Sequence, residues 1–326
     1  MSEVAAVKSM KSQKIKMKYK KIVLAGGNGY LGRVLTEYYK DKADEIVIFS
    51  RKEKFAEKNV RTVLWDGKTP GKWAADLVNA DILINLCGKN VNCRYTEKNK
   101  AEIFKSRVEP TEVLGQVIHD LAEPPKLWIN LSSATIYRHA EDHPQDEETG
   151  EHGDGFSVDV CEAWECAFNK YDTPKTRKIA LRMGIVLGRS DSVFPRLLNL
   201  VRFGMGGSQG NGRQYISWVH ELDAARCTEW FADHEELSGV YNCTAPNPVK
   251  NNLMMQTIRE VYGRRIGLPA PEWLLKIGAV FIGTETELIL KSRWVLPKRL
   301  VDSGFRFSYP TIDGAVKNIL FSGIIH

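Results

Sequence analysis

The segment KIVLAGGNGYLG, from Lys21 to Gly32, constrains the fold more than any other stretch of the chain. The apolar run Ile22, Val23, Leu24 and Ala25 leads straight into Gly26, Gly29 and Gly32, and a helix-compatible stretch with Leu31, Val34, Leu35 and Tyr38 follows. Strand, glycine turn and helix in that order is the context that a dinucleotide fingerprint requires. The first glycine permits the tight turn, the second lets the backbone approach a pyrophosphate, and the third lets the helix pack on the strand. The phosphates then meet the free N–H groups and the positive end of the helix dipole. The spacing here is G-x-x-G-x-x-G rather than G-x-G-x-x-G. A glycine-rich turn that binds nothing is the bland alternative; the preferred reading places Gly26, Gly29, Tyr30, Leu31 and Gly32 against a cofactor.

Five more apolar runs follow: EIVIFS (Glu45 to Ser50), RTVLWD (Arg61 to Asp66), ADILINLCG (Ala80 to Gly88), KLWINLSSATIY (Lys126 to Tyr137) and RKIALRMGIVLG (Arg177 to Gly188). Each reads as a strand buried on both faces, and helical segments such as 96–122 separate them, so a parallel sheet covered on both sides is expected. Segments 138–155 and 204–214 read as long loops, which often carry function. Beyond about residue 245 prolines punctuate short helices. The fold class is therefore α/β: a Rossmann-type doubly wound parallel sheet with a smaller C-terminal α/β lobe. The expected boundaries are a basic disordered tail over 1–20, a nucleotide-binding domain over 21–245 with a substrate-lobe insertion at about 190–215, and a substrate lobe over 246–326.

The net charge of +6 is concentrated in one place. Residues 1–21 hold seven lysines and one acid, Glu3, which accounts for all of it. The body is neutral, so specific nucleic-acid recognition is not expected, and any contact of the tail with phosphates would be nonspecific and salt-sensitive. No run of about 18 apolar residues suggests a membrane span, and the N-terminus lacks the apolar core of a secretory signal. The six cysteines form no CxxC pair and no zinc-like spacing with histidine, so no metal site is expected. Reduced thiols in a cytoplasmic protein are the plain reading.

Cofactor preference is read at the end of the second strand. An acid there would accept hydrogen bonds from the adenosine ribose. This chain has Ser50, Arg51 and Lys52 instead. A carboxylate would repel a 2′-phosphate, whereas Arg51 can grip one bidentately, so NADP(H) is expected over NAD(H). Asp66 either meets the adenine amino group or caps a turn.

With these residues in hand, the chain resembles an atypical extended short-chain dehydrogenase/reductase of the NAD-dependent epimerase/dehydratase family. The resemblance runs from about Lys21 to the C-terminus and rests on GGNGYLG, NLCG (Asn85 to Gly88), SSATIY (Ser132 to Tyr137) and RMGIVLG (Arg182 to Gly188). A subgroup of epimerase family proteins fits more narrowly, through GNGRQYISWVHELD (Gly210 to Asp223) and the C-terminal LPKRLVDSGFRF (Leu296 to Phe307). The resemblance implies further cofactor contacts at Leu86, Cys87 and Gly88, at Glu102 and Arg107 in EIFKSR, and at Val186. Leu86 and Val186 as core, and Glu102 with Arg107 as an ion pair, are the alternatives.

Hydride-transferring members of the family use a serine or threonine with a YxxxK pair. Here the tyrosine handles the proton and the lysine tunes it and holds the ribose. Ser133 matches the serine. The YxxxK pair does not appear: aligning FSVDVCEAWE on Glu165 puts Ser157 at the tyrosine position and Cys161 at the lysine position, and a shift of one gives Phe156 and Val160. Tyr137 and His220 are left as candidates for proton transfer, with Asp223 to orient the histidine; His220 and Asp223 can equally be helix caps. Arg213 either binds an anionic group or lies on the surface. Two functions compete. One is an NADP-dependent oxidoreductase or epimerase acting on a small carbonyl or sugar-like molecule. The other is a non-catalytic NADP(H) sensor that binds a partner protein. Relatives often pair through a helix bundle, so a homodimer is also an expectation.

Overall fold

A computed structural model describes residues 17–52, 57–276 and 285–322. The glycine segment folds as read. Strand β1 (Tyr19–Ala25) is followed by helix α1 (Tyr30–Tyr39) and strand β2 (Ala43–Ser50). Then come β3 (Val60–Leu64), β4 (Ile82–Asn85), α2 (Glu97–Asp120), β5 (Leu127–Ser133), α3 (Phe156–Asn169) and β6 (Arg177–Met183). Strand β7 (Ile185–Leu187), α4 (Phe194–Arg202), β8 (Tyr215–Ile216), β9 (Trp218–His220), α5 (Glu221–Asp233), β10 (Gly239–Cys243), β11 (Val249–Lys250) and α6 (Asn251–Tyr262) complete the main series. Short helices Lys298–Asp302 and Ile312–Phe321 close the C-terminal part.

Seven parallel strands form the central sheet in the order β10-β6-β5-β4-β1-β2-β3. Successive side chains of β1 alternate between its faces, so Ile22 and Leu24 enter one core and Val23 and Ala25 the other. The strand order reverses between β1 and β4, and a crevice opens there at the carboxyl ends of the strands. A third core joins α4, α6 and the helix Ile312–Phe321 through Phe194, Leu198, Met255, Ile258 and Val316. The insertion and the C-terminal residues thus share one apolar interior.

Four local readings change. Residues 1–16 of the expected tail lie outside the described residues, but the body begins before Lys21: β1 starts at Tyr19, and Lys18 pairs with Glu229 at 2.9 Å and Asp233 at 2.8 Å. The run from Arg177 to Gly188 is two strands, because a side chain at Gly184 would meet Thr244 Cγ2 at 2.8 Å and the Ser217 carbonyl at 2.9 Å. The chain turns there, and β7 pairs with β9 outside the main sheet. The strand that begins at Leu127 ends at Ser133, where Ser133 Oγ accepts the Thr135 N–H and starts a 3-10 turn over Ala134–Ile136. Strand β10 is a seventh member not read from the sequence, since GVYNC is short and opens on a glycine.

Candidate functional site

The turn after β1 has the shape an anion cradle needs. Gly26 has φ +75°, and a Cβ there would come within 2.9 Å of Cys87 Sγ. Gly32 must be glycine because a Cβ would collide with the Gly27 carbonyl. Gly29 is the N-cap of α1; no side chain caps this end, and nothing lies within 4 Å of where its Cβ would be. The first N–H groups of α1 thus have no side-chain cap, and a phosphate can supply one. Leu31 packs against the core, and the Tyr30 hydroxyl donates to Glu221, fixing the helix to α5.

Ser50 is buried at the end of β2, where its hydroxyl meets Asn28 Nδ2 and accepts the Lys52 N–H at 3.2 Å. Arg51 is exposed beside this turn and makes no hydrogen bond or ion pair among the described residues. Its charge acts on Cys87, whose thiol burial pushes up to about 12. Asp66 caps its own turn, accepting from the N–H groups of Lys68 at 2.8 Å and Thr69 at 3.1 Å.

The loop after β4 is set by a buried asparagine. Asn85 donates to Thr111 Oγ1 at 2.9 Å and Asn130 Oδ1 at 2.7 Å, and its own Oδ1 accepts the Cys87 N–H at 3.1 Å. Leu86, Cys87 and Gly88 thereby line one wall of a cavity of about 350 Å³. Ser133 and Thr135 line the floor, and Ser157, Cys161 and Trp164 from α3 line the far wall. Arg107 faces into this space, whereas Glu102 points to solvent and pairs with Lys89 at 2.5 Å. The two are therefore not an ion pair, and Glu102 is not brought to the cavity. Val186 packs at the edge of the main core and does not line the cavity either.

Two proton-transfer candidates are absent from the cavity wall. Tyr137 is 1% exposed; its hydroxyl donates to Asn242 Oδ1 at 3.1 Å and accepts from Arg182 Nη1 at 2.9 Å. The 3-10 turn after Ser133 carries it to the other side of the strand end. His220 is buried at the N-cap of α5, where its Nδ1 accepts the Leu222 N–H at 3.1 Å and its ring packs on Tyr309. Burial lowers its pKa, and Nδ1 serves as the cap acceptor. Asp223 accepts the N–H groups of Ser308 and Tyr309, both at 2.8 Å, and ties the C-terminal segment to α5. Arg213 is exposed and pairs with Glu141 at 3.4 Å.

The WE pair of α3 is structural. Trp164 Nε1 donates to Thr111 Oγ1 at 2.9 Å, and both oxygens of Glu165 accept from Arg182 at 2.9 Å. Cys161 gives no cation at the lysine position; burial pushes its thiol up to about 12. The groups that sequence reasoning missed come from elsewhere. Tyr95 lines the cavity beside Ser157, its ring set edge-on to Phe156 at 5.1 Å. Lys291 donates to the Thr135 carbonyl at 3.1 Å and Arg293 Nε to Thr135 Oγ1 at 3.1 Å. Only the nearness of YTEKNK to a helix start hinted at Tyr95; the two cations arrive from a segment far along the chain.

Residues 22–244 match the NAD-dependent epimerase/dehydratase family. The chain belongs to that family. Residues 270–319 match a domain of unknown function, DUF1731. The chain is 32% identical over 302 residues to the epimerase family protein YfhF of Bacillus subtilis (strain 168), covering 92% of this chain and 97% of that one. It is similar to the crystal structure of human epimerase family protein SDR39U1 (isoform 2) with NADPH, at 29% identity and a TM-score of 0.81, covering 92% of this chain and 98% of that one. It is also similar to a nucleoside-diphosphate sugar epimerase from Corynebacterium glutamicum, at 27% identity and a TM-score of 0.73, over 93% of this chain and 58% of that one. The chain has the glycine turn and Ser133 at the end of β5, and α3 holds no Tyr-x-x-x-Lys spacing. No helix among the described residues is long and apolar enough to cross a membrane.

Proposed function

We propose that this family member binds NADP(H) and acts as an oxidoreductase or epimerase on a small carbonyl or sugar-like molecule. The observation that carries the reading is the uncapped N-terminus of α1 at Gly29, flanked by Arg51 and leading over Cys87 into the cavity floored by Ser133. The crystal structure of human SDR39U1 with NADPH supports the choice of dinucleotide. Gly26, Gly29, Tyr30, Leu31 and Gly32 would shape the pyrophosphate site, Ser50 and Arg51 the 2′-phosphate site, and Leu86, Cys87 and Gly88 the path between them.

When bound, the dinucleotide supplies or takes a hydride. This chain's residues do the rest. Ser133 presents a hydroxyl that accepts the Thr135 N–H and keeps its own proton for a substrate oxygen. Tyr95 replaces the family tyrosine as the phenol of the cavity, holding the transferable proton beside Ser157. Burial raises its pKa, which keeps the phenol protonated at neutral pH. The polar outer face of α3, with Asp159, Glu162, Cys166 and Asn169 exposed, offers no apolar stripe for a homodimer through that helix.

The second reading, a non-catalytic NADP(H) sensor, is favoured by one observation: Ser157 and Cys161 stand where the family's tyrosine and lysine would. Titration with NADPH and with NADH, followed by single-turnover oxidation of bound NADPH against a panel of small carbonyl compounds, separates the readings. NADPH binding with turnover of one compound is the expected outcome. Binding with no turnover across the panel would favour the sensor, and no binding of either dinucleotide would end both readings.

A further inference from the structure

Large apolar side chains stand out from one corner of the C-terminal lobe. Phe203 is 77% exposed and Ile266 80%, and Met205 and Leu268 are exposed with them. Two loops bring the four together. The Leu268 N–H donates to the Gly204 carbonyl at 2.8 Å and the Gly207 N–H to the Leu268 carbonyl at 3.0 Å, so Met205 lies beside Leu268. Glycine permits that approach: a Cβ at Gly267 would come within 2.6 Å of the Gly206 carbonyl carbon, and one at Gly207 within 2.5 Å of the Pro269 nitrogen. Phe203 is the C-cap of α4, just before this pairing, and Ile266 precedes Leu268 by two residues. Trp273, 63% exposed, and Leu274 follow in a helical turn, where the Leu275 N–H donates to the Pro271 carbonyl at 3.1 Å. Apolar exposure gathered in one place marks a contact surface, unlike the single scattered side chains usual on a monomer.

The same corner is cationic. A groove of about 580 Å³ at the C-terminal end of α6 is lined by Arg259, Arg264 and Arg265 together with Gln256, Glu260 and Gly263. Arg259 donates from Nη1 to the Gly206 carbonyl, which ties the groove to the paired loops. Glu260 is the one carboxylate of the lining, and it accepts from Gln256 Nε2 at 2.8 Å. Arg264 and Arg265 are exposed, and their side chains make no hydrogen bond or ion pair among the described residues. Arg202 stands 5.7 Å from the centre of the Tyr262 ring, next in sequence to Phe203. Lys276 is already paired with Glu272 at 2.8 Å. Three guanidinium groups against one carboxylate leave the groove positive.

Charge and shape together select the occupant. A second copy of the chain would set arginines against arginines. A partner helix needs an apolar groove for its apolar face, yet here the groove is cationic and none of the apolar side chains lines it. Protruding aromatic and aliphatic tips flanked by guanidinium groups suit a lipid surface. The tips enter the boundary between headgroups and acyl chains, and the arginines stay at the level of the phosphates. We propose that this corner docks on an anionic phospholipid surface, with Phe203, Ile266 and Trp273 entering the headgroup boundary and Arg264 and Arg265 on lipid phosphates. The contact is peripheral, since no described helix is long and apolar enough to cross a membrane. The proposal stands apart from the NADP(H) reading and uses none of its residues.

Co-sedimentation of the full chain with lipid vesicles tests this, with phosphatidylcholine alone and with phosphatidylcholine containing about one-third phosphatidylglycerol. The chain is expected to sediment with the mixed vesicles and to stay in solution with phosphatidylcholine alone. The double variant Phe203→Ser, Ile266→Ser and the double variant Arg264→Gln, Arg265→Gln are each expected to weaken that partition by about tenfold or more. Both should keep the wild-type melting temperature, because all four side chains are exposed. The lysines of residues 1–21 are an independent source of attraction to anionic lipid. Binding to the mixed vesicles that both double variants leave unchanged assigns it to those lysines and overturns the proposal. Failure to sediment with either vesicle overturns it, as does equal binding to both. A wild type that ignores the vesicles but forms a dimer in sedimentation velocity, lost in Phe203→Ser, Ile266→Ser, gives the face to a second copy and overturns it too.

Discussion

Arg182 donates from Nη1 to the Tyr137 hydroxyl at 2.9 Å, and that bond withdraws the tyrosine from the cavity it borders in sequence. The phenol donates its own hydrogen bond to Asn242 Oδ1, and Asn242 Nδ2 donates in turn to the Leu296 carbonyl at 3.0 Å. Tyr137 is a brace between the central sheet and the C-terminal segment. Tyr137→Phe should therefore cost stability, by roughly 2 kcal/mol for a buried pair of bonds of which one is to a charged donor. NADPH affinity should stay unchanged. Chemical denaturation and a cofactor titration on the same variant check both halves.

Tyr95 makes the opposite prediction. Tyr95→Phe removes only the hydroxyl, on a half-buried ring at the cavity edge, so folding and NADPH affinity should be close to wild type. Single-turnover hydride transfer to an accepted carbonyl compound should fall by about 10²-fold or more. An unchanged rate would remove Tyr95 from the chemistry.

Two glycines of the same turn should fail in different ways. A Cβ at Gly32 strikes the Gly27 carbonyl, so Gly32→Ala should lower stability by about 2 kcal/mol through overpacking. A Cβ at Gly29 meets nothing in the protein. Gly29→Ala should fold normally and lose about tenfold in NADPH affinity, because the methyl enters the space kept for phosphate. Thermal melts set against titrations separate the two.

Arg51 is solvent-exposed, so its effect should be moderate and selective. Arg51→Ala should weaken NADPH by about tenfold and leave NADH nearly unchanged. Raising the salt concentration should shrink the difference. Equal weakening of both dinucleotides would place the arginine away from the 2′-phosphate.

His220 gives a pH signature. Burial holds its folded pKa below the ordinary value of 6.5, so the unfolded chain binds the proton more readily. Its contribution to stability is complete above about pH 6.5 and is lost as the pH falls from there toward the folded value. His220→Asn keeps a cap acceptor and should flatten this part of the stability profile, measured by urea unfolding between about pH 5 and 7.5.

The parts of the molecule that were legible in sequence are those where one residue type answers one local demand. The glycine turn, the buried strands and the helical stretch at 96–122 follow from glycine spacing and apolar patterning. Ser133 was legible because a short motif fixes it to the end of a strand. What escaped was decided across the sheet. Tyr137 and Ser133 are four residues apart, yet a single 3-10 turn sends them to different environments. His220 looked like an acid–base group because of its ring, and only its N-cap position and burial show otherwise. Gly184 read as strand because a chain reversal there depends on Thr244 and Ser217. Tyr95, Lys291 and Arg293 carry no motif; they are brought together only by the packing of residues 285–296 onto the end of the sheet.

That packing bears on how the protein is made. Gln145 exchanges backbone bonds with Trp294 and Leu296, the Ala140 N–H donates to the Ser292 carbonyl, and Ser217 Oγ donates to the Arg293 carbonyl. The stretch that backs Thr135 is thus threaded into loops made much earlier. During synthesis the glycine turn emerges long before the stretch bearing Lys291 and Arg293, which packs behind Thr135. The nascent chain passes through a stage at which its glycine turn is whole and the stretch that backs Thr135 has yet to leave the ribosome.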